Sequence, residues 1–95
     1  MNYDESRVAE ATLALMYLGV FDDAAGHRTW KSFHWAVLKQ LHKLGYISDP
    51  VNKNKSVWFT EEGFAKSREL FREFFGVNWP QGMGKVSFGR EQYYQ

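Results

Sequence analysis

Two apolar helical patterns with a short stretch between them set the strongest limit on how this chain folds. The first pattern covers residues 33–44 and stops at Gly45, a residue type that commonly ends helices. Its start has two interpretations: a cap at Ser32, or a short turn from Thr29 followed by a helix from His34. The second covers residues 60–75 and opens with Thr60, whose hydroxyl can cap a helix. Residues 46–59 between them contain two short strand-like runs separated by turn-forming residues. This spacing predicts a helix, a hairpin and a second helix.

The predicted hairpin consists of two runs rich in aromatic and β-branched side chains, residues 46–48 and 56–59. Residues 49–55 lie between them and combine Asp, Pro, Asn and Lys, a composition typical of turns. We therefore expect 46–48 to pair with 56–59 as antiparallel strands.

A further helix is predicted near the amino terminus, over residues 4–18. Its start is marked by two acidic residues, Asp4 and Glu5, which the helix dipole favours at that end. One apolar stripe contains Val8, Ala11, Leu15 and Leu18, with Leu13 and Met16 beside it, so we expect this helix to be largely buried. Residues 21–28 are interpreted as a loop because they include the polar, Gly-containing segment Asp-Asp-Ala-Ala-Gly. The predicted order of elements is α-α-β-β-α.

Ninety-five residues are enough for a single hydrophobic core. We assign residues 1–76 to one domain and residues 77–95 to a C-terminal extension in which glycines alternate with aromatic side chains. Free linkers are poor in aromatic residues, so the extension is expected to pack on the domain or on a second copy of it. Its candidate protein-contact residues are Trp79, Phe88, Tyr93 and Tyr94.

Composition narrows the classes of protein to which the chain can belong. The absence of cysteine excludes disulfides, thiolate metal sites and cysteine nucleophiles, and it indicates a reducing cytoplasm. The acidic first residues lack the basic and apolar regions of a signal peptide, and the longest apolar run is too short to span a bilayer. We expect a cytoplasmic protein with no membrane partner.

Charge is unevenly distributed although the net charge is only +1. Residues 1–26 carry −4, residues 27–58 carry +5, and the remainder is neutral. All three histidines also fall in the basic middle segment. This asymmetry is a weak indication of an anionic partner.

The segments on either side of the predicted hairpin resemble parts of winged helix-turn-helix domains. Residues 38–47 (Leu-Lys-Gln-Leu-His-Lys-Leu-Gly-Tyr-Ile) are similar to a recognition helix that runs into the first wing strand. Residues 56–65 (Ser-Val-Trp-Phe-Thr-Glu-Glu-Gly-Phe-Ala) are similar to a wing strand that enters the next helix. Residues 3–76 also resemble a small uncharacterised bacterial family, a domain of unknown function. The resemblance implies an α+β, winged-helix-like fold and brings no activity with it.

A full winged helix has another helix directly before the recognition helix. Only residues 22–32 are available for it here, and they include Gly26 and have poor helical periodicity. If that helix is a single turn or missing, the domain would be winged-helix-like without docking on DNA in the usual way.

The resemblance implies a DNA-contact face on the helix over residues 33–44. Its outward positions, spaced i, i+3, i+4 and i+7, are Ala36, Lys39, Gln40 and Lys43. In the major groove Lys binds guanine edges or phosphates, Gln reads adenine, and Ala leaves room for close approach. The same residues would also suit an ordinary solvent-exposed helix face.

The turn of the hairpin would be the tip of the wing. It contains Asn52, Lys53, Asn54 and Lys55. Two lysines and two asparagines suit contact with backbone phosphate, but an ordinary polar hairpin turn would use the same residues.

No pattern of catalytic or metal-binding residues emerges. His34 and His42 are eight positions apart on one predicted helix, too far to share a metal ion. No serine lies in a Gly-x-Ser-x-Gly elbow, and Gly82-Met83-Gly84 lacks the strand and helix that a phosphate loop needs. We therefore expect a non-catalytic protein with no cofactor and no metal.

Two functional interpretations remain open at this point. One is a small DNA-binding transcriptional regulator, dimeric because a single helix and wing bury little surface. The other is a protein-protein interaction module on the same scaffold, such as an adaptor or a phage- or plasmid-encoded inhibitor of a host complex. Fold alone does not decide between them.

Overall fold

A computed structural model describes residues 1–23 and 26–77 of the chain. The C-terminal extension from residue 78 onward, with its candidate contact residues, lies outside the described residues. Within them, three helices and three strands follow one another along the chain. They are α1 (Glu5–Met16), a 3₁₀ turn (Tyr17–Gly19), β1 (Phe21–Asp23), β2 (Gly26–Trp30), α2 (Trp35–Lys43), β3 (Ser56–Trp58) and α3 (Glu61–Phe75).

The strands form one antiparallel sheet in the order β1-β2-β3. Phe21 pairs with Arg28 between β1 and β2, and Thr29 pairs with Val57 between β2 and β3. The other edge of β3 receives Ile47, which forms a single bridge with Phe59. The sheet is therefore extended by one short contact beyond β3.

The core lies between α1, α3 and one face of the sheet. Its buried apolar side chains are Ala9, Leu13, Ala14, Met16, Leu38, Leu41, Ile47, Val57, Phe59 and Leu70. Two buried hydroxyls satisfy backbone carbonyls of α1: Ser67 Oγ donates to Leu13 O at 2.6 Å, and Thr29 Oγ1 donates to Met16 O at 2.8 Å. These bonds attach both α3 and β2 to the same helix.

The buried side of α1 differs from the predicted one. Val8, Leu15 and Leu18 are 38%, 41% and 66% exposed, whereas Leu13 and Met16 are 1% exposed. The helix carries two apolar stripes, and the one with Ala9 and two larger residues packs inward. Small side chains such as alanine let neighbouring elements approach the helix closely, so the sequence stripe alone does not choose the buried face.

The interpretation of residues 21–28 as a loop is wrong, because residues 21–23 form β1 and residues 26–28 belong to β2. Gly26 has a φ of 150°, which a side chain would disfavour. Phe21 and Trp30 stack across the hairpin with ring centroids 4.8 Å apart. The order of elements is consequently α-β-β-α-β-α, not α-α-β-β-α.

The second helix and the predicted hairpin are both shorter than expected. α2 begins at Trp35 after a His34 cap, so Trp35 lies in the first turn and is 49% exposed. Residues 46–48 pair with 56–59 through the Ile47–Phe59 bridge and two bonds between Ser48 and Trp58: Ser48 N–H donates to Trp58 O, and Trp58 N–H donates to Ser48 Oγ, both at 2.9 Å. Just beyond them, Thr60 N–H donates to Tyr46 O at 3.1 Å. β2, which was not predicted, is the main partner of β3.

The α+β class is confirmed, and three helices with a three-stranded antiparallel sheet are compatible with a winged-helix-like arrangement. The β1–β2 hairpin lies before α2, at the place where a full winged helix would have a further helix. No helix in the described part of the chain is long and apolar enough to cross a bilayer.

Candidate nucleic-acid interface

The rotation of α2 is fixed by two leucines. Leu38 and Leu41 are each 1% exposed and belong to the core. The side of the helix away from them is therefore turned to solvent, and Ala36, Lys39 and Lys43 are exposed there, with Gln40 half-buried beside them. The four positions predicted from spacing thus share one accessible side of the helix.

The carboxyl end of α2 is hydrogen-bonded to Ile47, which lies between this helix and β3. His42 Nδ1 lies 2.9 Å from the carbonyl oxygen of Ile47, which accepts a hydrogen bond from that ring nitrogen. The helix ends through Gly45, whose φ of 85° turns the chain towards Ile47. This connection sets the position of α2 relative to the sheet.

Residues 49–55, which we call the wing, are held by their own side chains. Val51 N–H donates to Asp49 Oδ1 at 2.9 Å, and Asn52 Nδ2 donates to the Asp49 carbonyl at 2.8 Å. Asn54 N–H donates to Asn52 Oδ1 at 2.7 Å. Pro50 is buried beneath them. The wing is an ordered turn, and the amide of Asn52 is used inside it.

Two of the predicted wing residues carry positive charge at its surface. Lys53 and Lys55 are both exposed, as is Asn54 between them. Within the described residues, the ion pairs are formed by His27 and Lys66, and neither wing lysine takes part in them. The wing therefore presents cationic groups next to the sheet.

A single open depression joins α2 to the base of the wing. It is lined by all four predicted helix residues, Ala36, Lys39, Gln40 and Lys43, and by Glu5, His42, Asp49, Pro50 and Val51. The spacing in the sequence predicted that the four helix residues lie together. The fold brings them next to the base of the wing, residues 49–51. The wing-tip residues 53–55 do not line the depression itself.

Charges of both signs occur in this depression. Lys39 and Lys43 contribute positive charge, whereas Glu5 and Asp49 contribute negative charge. The Asp49 carboxylate already accepts a backbone N–H within the wing. The lysines of the wing tip add two further positive charges beside it, so the surface as a whole is basic.

Other basic side chains of the middle segment form contacts inside the fold. Arg28 donates from Nε to Ser56 Oγ at 2.9 Å, and its guanidinium lies 4.2 Å from the centre of the Trp58 ring. His27 Nδ1 lies 2.5 Å from Asp22 Oδ1, and its ring stacks on Phe64 at 3.8 Å. These groups stabilise the sheet and are not part of the α2 surface.

Sequence reasoning missed Lys31, which follows β2 directly. Its ammonium donates to Pro50 O at 2.8 Å, to Asn52 Oδ1 at 3.1 Å and to Asn52 O at 3.2 Å. Nothing in the sequence pairs position 31 with position 52, because the contact depends on the β2–β3 pairing. The wing is therefore fastened to the sheet by a side chain.

A second, apolar surface lies between α1 and the end of β2. It is a groove lined by Leu15, Met16, Gly19, Thr29, Trp30, Ser32 and Phe33, and it contains no charged side chain. Trp30 is 50% exposed at its rim.

In the described residues no group of three or more His, Cys, Asp or Glu side chains could hold a metal ion.

Comparison with known proteins identifies the family. The model of the domain of unknown function DUF6429 matches residues 4–77. The uncharacterized protein y4hR of Sinorhizobium fredii (strain NBRC 101917 / NGR234) is 44% identical over 75 residues, which cover 79% of this chain and 97% of that protein. No solved structure matches the chain. The chain belongs to the DUF6429 family.

Proposed function

We propose that this protein binds duplex DNA through α2 and the wing and catalyses no reaction on it. The observation that carries the proposal is the shared depression, in which Ala36, Lys39, Gln40 and Lys43 meet the base of the wing. A helix and an adjacent loop on one surface are the two elements with which winged-helix proteins hold a duplex.

The dimensions and chemistry of α2 suit the major groove. An α-helix with its side chains is about 10–12 Å across, which fits the roughly 12 Å width of that groove, and α2 offers nine residues to it. Lys39 and Lys43 can bind phosphate or guanine, and Gln40 can form paired hydrogen bonds with adenine. Ala36 leaves the helix free to approach the base edges.

The wing would supply backbone contacts. Lys53 and Lys55 are exposed beside the depression, and lysine ammonium groups bind phosphate as point charges without reading sequence. We infer that α2 carries what specificity there is and that the wing adds affinity.

One nine-residue helix and one short wing bury little surface, so we infer that two copies act together on the duplex. A dimer would place two α2 helices in successive major grooves. The role we propose is that of a cytoplasmic transcriptional regulator, in keeping with a chain that has no cysteine.

The salt dependence of binding tests this proposal. We expect binding to a labelled duplex to weaken with salt, with a log–log slope of about −0.9 for each phosphate neutralised. Replacing Lys39 and Lys43 together by Ala should weaken binding and flatten the slope by about two units. Fluorescence anisotropy at several salt concentrations measures both quantities.

A matched control removes the same charge elsewhere. Arg68 and Arg72 are exposed on α3, and their double replacement by Ala also removes two positive charges. That variant should keep the slope of the unmodified protein. Equal slopes for all three proteins would remove α2 from the interface, and no binding to any duplex at low salt would refute the DNA proposal.

A second candidate function is supported by the apolar groove. Leu15 and Trp30 are 41% and 50% exposed there, and Leu18 beside them is 66% exposed. Apolar groups gathered at one surface commonly mark protein contacts. If the protein is an interaction module, replacing Trp30 by Ala should abolish partner capture and leave duplex binding unchanged.

A further inference from the structure

Lys31 bonds to both ends of the wing. Its ammonium donates to the carbonyl of Pro50 at 2.8 Å and to both oxygens of Asn52, at 3.1 and 3.2 Å. Its backbone N–H donates to the carbonyl of Lys55 at 3.1 Å. One residue therefore connects the beginning and the end of the loop to the sheet.

The sheet determines where Lys31 lies. The residue before it, Trp30, pairs with Ser56 at the end of the β2–β3 ladder, where β3 leaves the wing. A lysine at the next position can reach across the loop with its four-carbon chain. The Lys31 side chain therefore holds residues 50–52 in a fixed position relative to β2.

The Lys31 ammonium has no donor left for a ligand. A lysine ammonium carries three N–H donors, and three oxygen atoms of the wing surround this one. Asn52 is shared in the same network, since its Oδ1 also accepts from Asn54 N–H at 2.7 Å. Lys31 differs in this respect from Lys53 and Lys55, which are exposed.

We propose that Lys31 is the positioning residue of the wing. Its hydrogen bonds hold the wing in the conformation that brings Lys53 and Lys55 to the DNA backbone. This inference rests on the proposed function and assigns a separate task within it. Lys31 acts through the loop and touches no phosphate. Its removal is therefore expected to weaken binding without changing the number of phosphates neutralised.

The replacement Lys31→Met tests this, because it keeps most of the chain length and removes the charge and the donors. Hydrogen exchange of the Val51, Asn52 and Asn54 amides should accelerate about tenfold or more, while exchange in α2 stays as it was. Duplex affinity should fall several-fold at fixed salt, with an unchanged log–log slope. The comparison variant Lys53→Ala should instead flatten the slope by about 0.9.

A chemical rescue separates the role of the ammonium from a general loss of packing. Lys31→Ala removes the atoms that n-propylammonium would restore, so adding this cation should slow exchange of the wing amides again. Sodium chloride at the same concentration should not. Recovery by both salts equally, or by neither, would contradict the proposed role.

Two further results would also overturn the inference. One is unchanged exchange in the wing of Lys31→Met, and the other is faster exchange with full affinity, which leaves the DNA proposal intact. Absence of binding by the unmodified protein would refute the proposed function and with it the part of Lys31 in binding. The exchange comparison would still show whether Lys31 holds the loop.

Discussion

Hydrogen bonding divides the cations of residues 27–58 into a structural group and an exposed group. Arg28 is held by Ser56 and Trp58, and Lys31 is held by the wing. The exposed group contains Lys39, Lys43, Lys53 and Lys55. The net charge of residues 27–58 is therefore larger than the charge accessible to a ligand. Only the four lysines on α2 and the wing are exposed among these Lys and Arg residues and free of the contacts that hold Arg28 and Lys31.

Glu5 opposes these lysines, since it lines the same depression as Lys39 and Lys43. Replacing Glu5 by Gln removes a negative charge that would repel phosphate. We expect duplex affinity to rise about two- to fivefold at low salt and the gain to shrink as salt increases. Anisotropy titrations at two salt concentrations measure this change.

The control for Glu5→Gln is Glu73→Gln, which removes an exposed carboxylate from α3. It does not line the depression and should have a smaller effect. Equal gains for the two variants would show that only net charge matters. Unchanged affinity for Glu5→Gln would place the bound phosphates away from this depression.

Elements differ in how well the sequence predicted them, for physical reasons. α3 was predicted almost to the residue because Thr60 caps it, with its Oγ1 2.8 Å from the Gly63 N–H. β1 and β2 were missed because they are short and joined by residues that look like a loop. Their stability comes from pairing with β3 and from the buried Thr29, and neither is a local property of the sequence.

The candidate site, like the elements, was predicted only in part from the sequence. The spacing of Ala36, Lys39, Gln40 and Lys43 on one helix was enough to place them on one side of it. Their meeting with the wing depends on the sheet and on Lys31, which link positions distant in sequence. Local periodicity predicts helix faces, whereas long-range contacts decide which faces become one surface.

The glycine of the Thr-Glu-Glu-Gly segment lets α3 pack against the exit of α2. A Cβ on Gly63 would lie 2.5 Å from the carbonyl carbon of Tyr46 and 2.7 Å from its Cα. Because both are backbone atoms, the helix itself would have to shift. We expect Gly63→Ala to lower the free energy of unfolding by about 2 kcal/mol or more, measured by urea denaturation.

Glu62→Ala serves as the control on the same turn of α3, since Glu62 is exposed. It should cost only a few tenths of a kcal/mol, the loss of a favourable charge at a helix start. Similar stabilities for Gly63→Ala and the unmodified protein would mean that α3 does not lie against Tyr46 as described.

The family model matches residues 4–77 of the chain. The last eighteen residues, 78–95, lie beyond this match. The apolar groove beside Leu15 and Trp30 leaves aromatic and aliphatic surface uncovered within the described residues. The sequence predicts that Trp79 and Phe88 pack on the domain or on a second copy. That remains a prediction, because both lie outside the described residues.

Truncation after Gly76 tests the role of the extension. If Trp79 and Phe88 cover apolar surface, their removal should lower the melting temperature by about 5 °C or more, or cause self-association. Calorimetry and size-exclusion chromatography measure the two effects. A truncated protein that melts and elutes like the full chain would show that the extension is not structural and that its aromatic residues are free for another partner.

An NMR titration of the full chain with a short DNA duplex tests most directly whether α2 and the wing bind DNA. We expect amide chemical shifts to change along residues 36–43 of α2 and residues 53–55 of the wing, while the chemical shifts of amides around the Leu15–Trp30 groove stay unchanged. Shifts confined to that groove, or no shifts at a salt concentration low enough for non-specific binding, would contradict it.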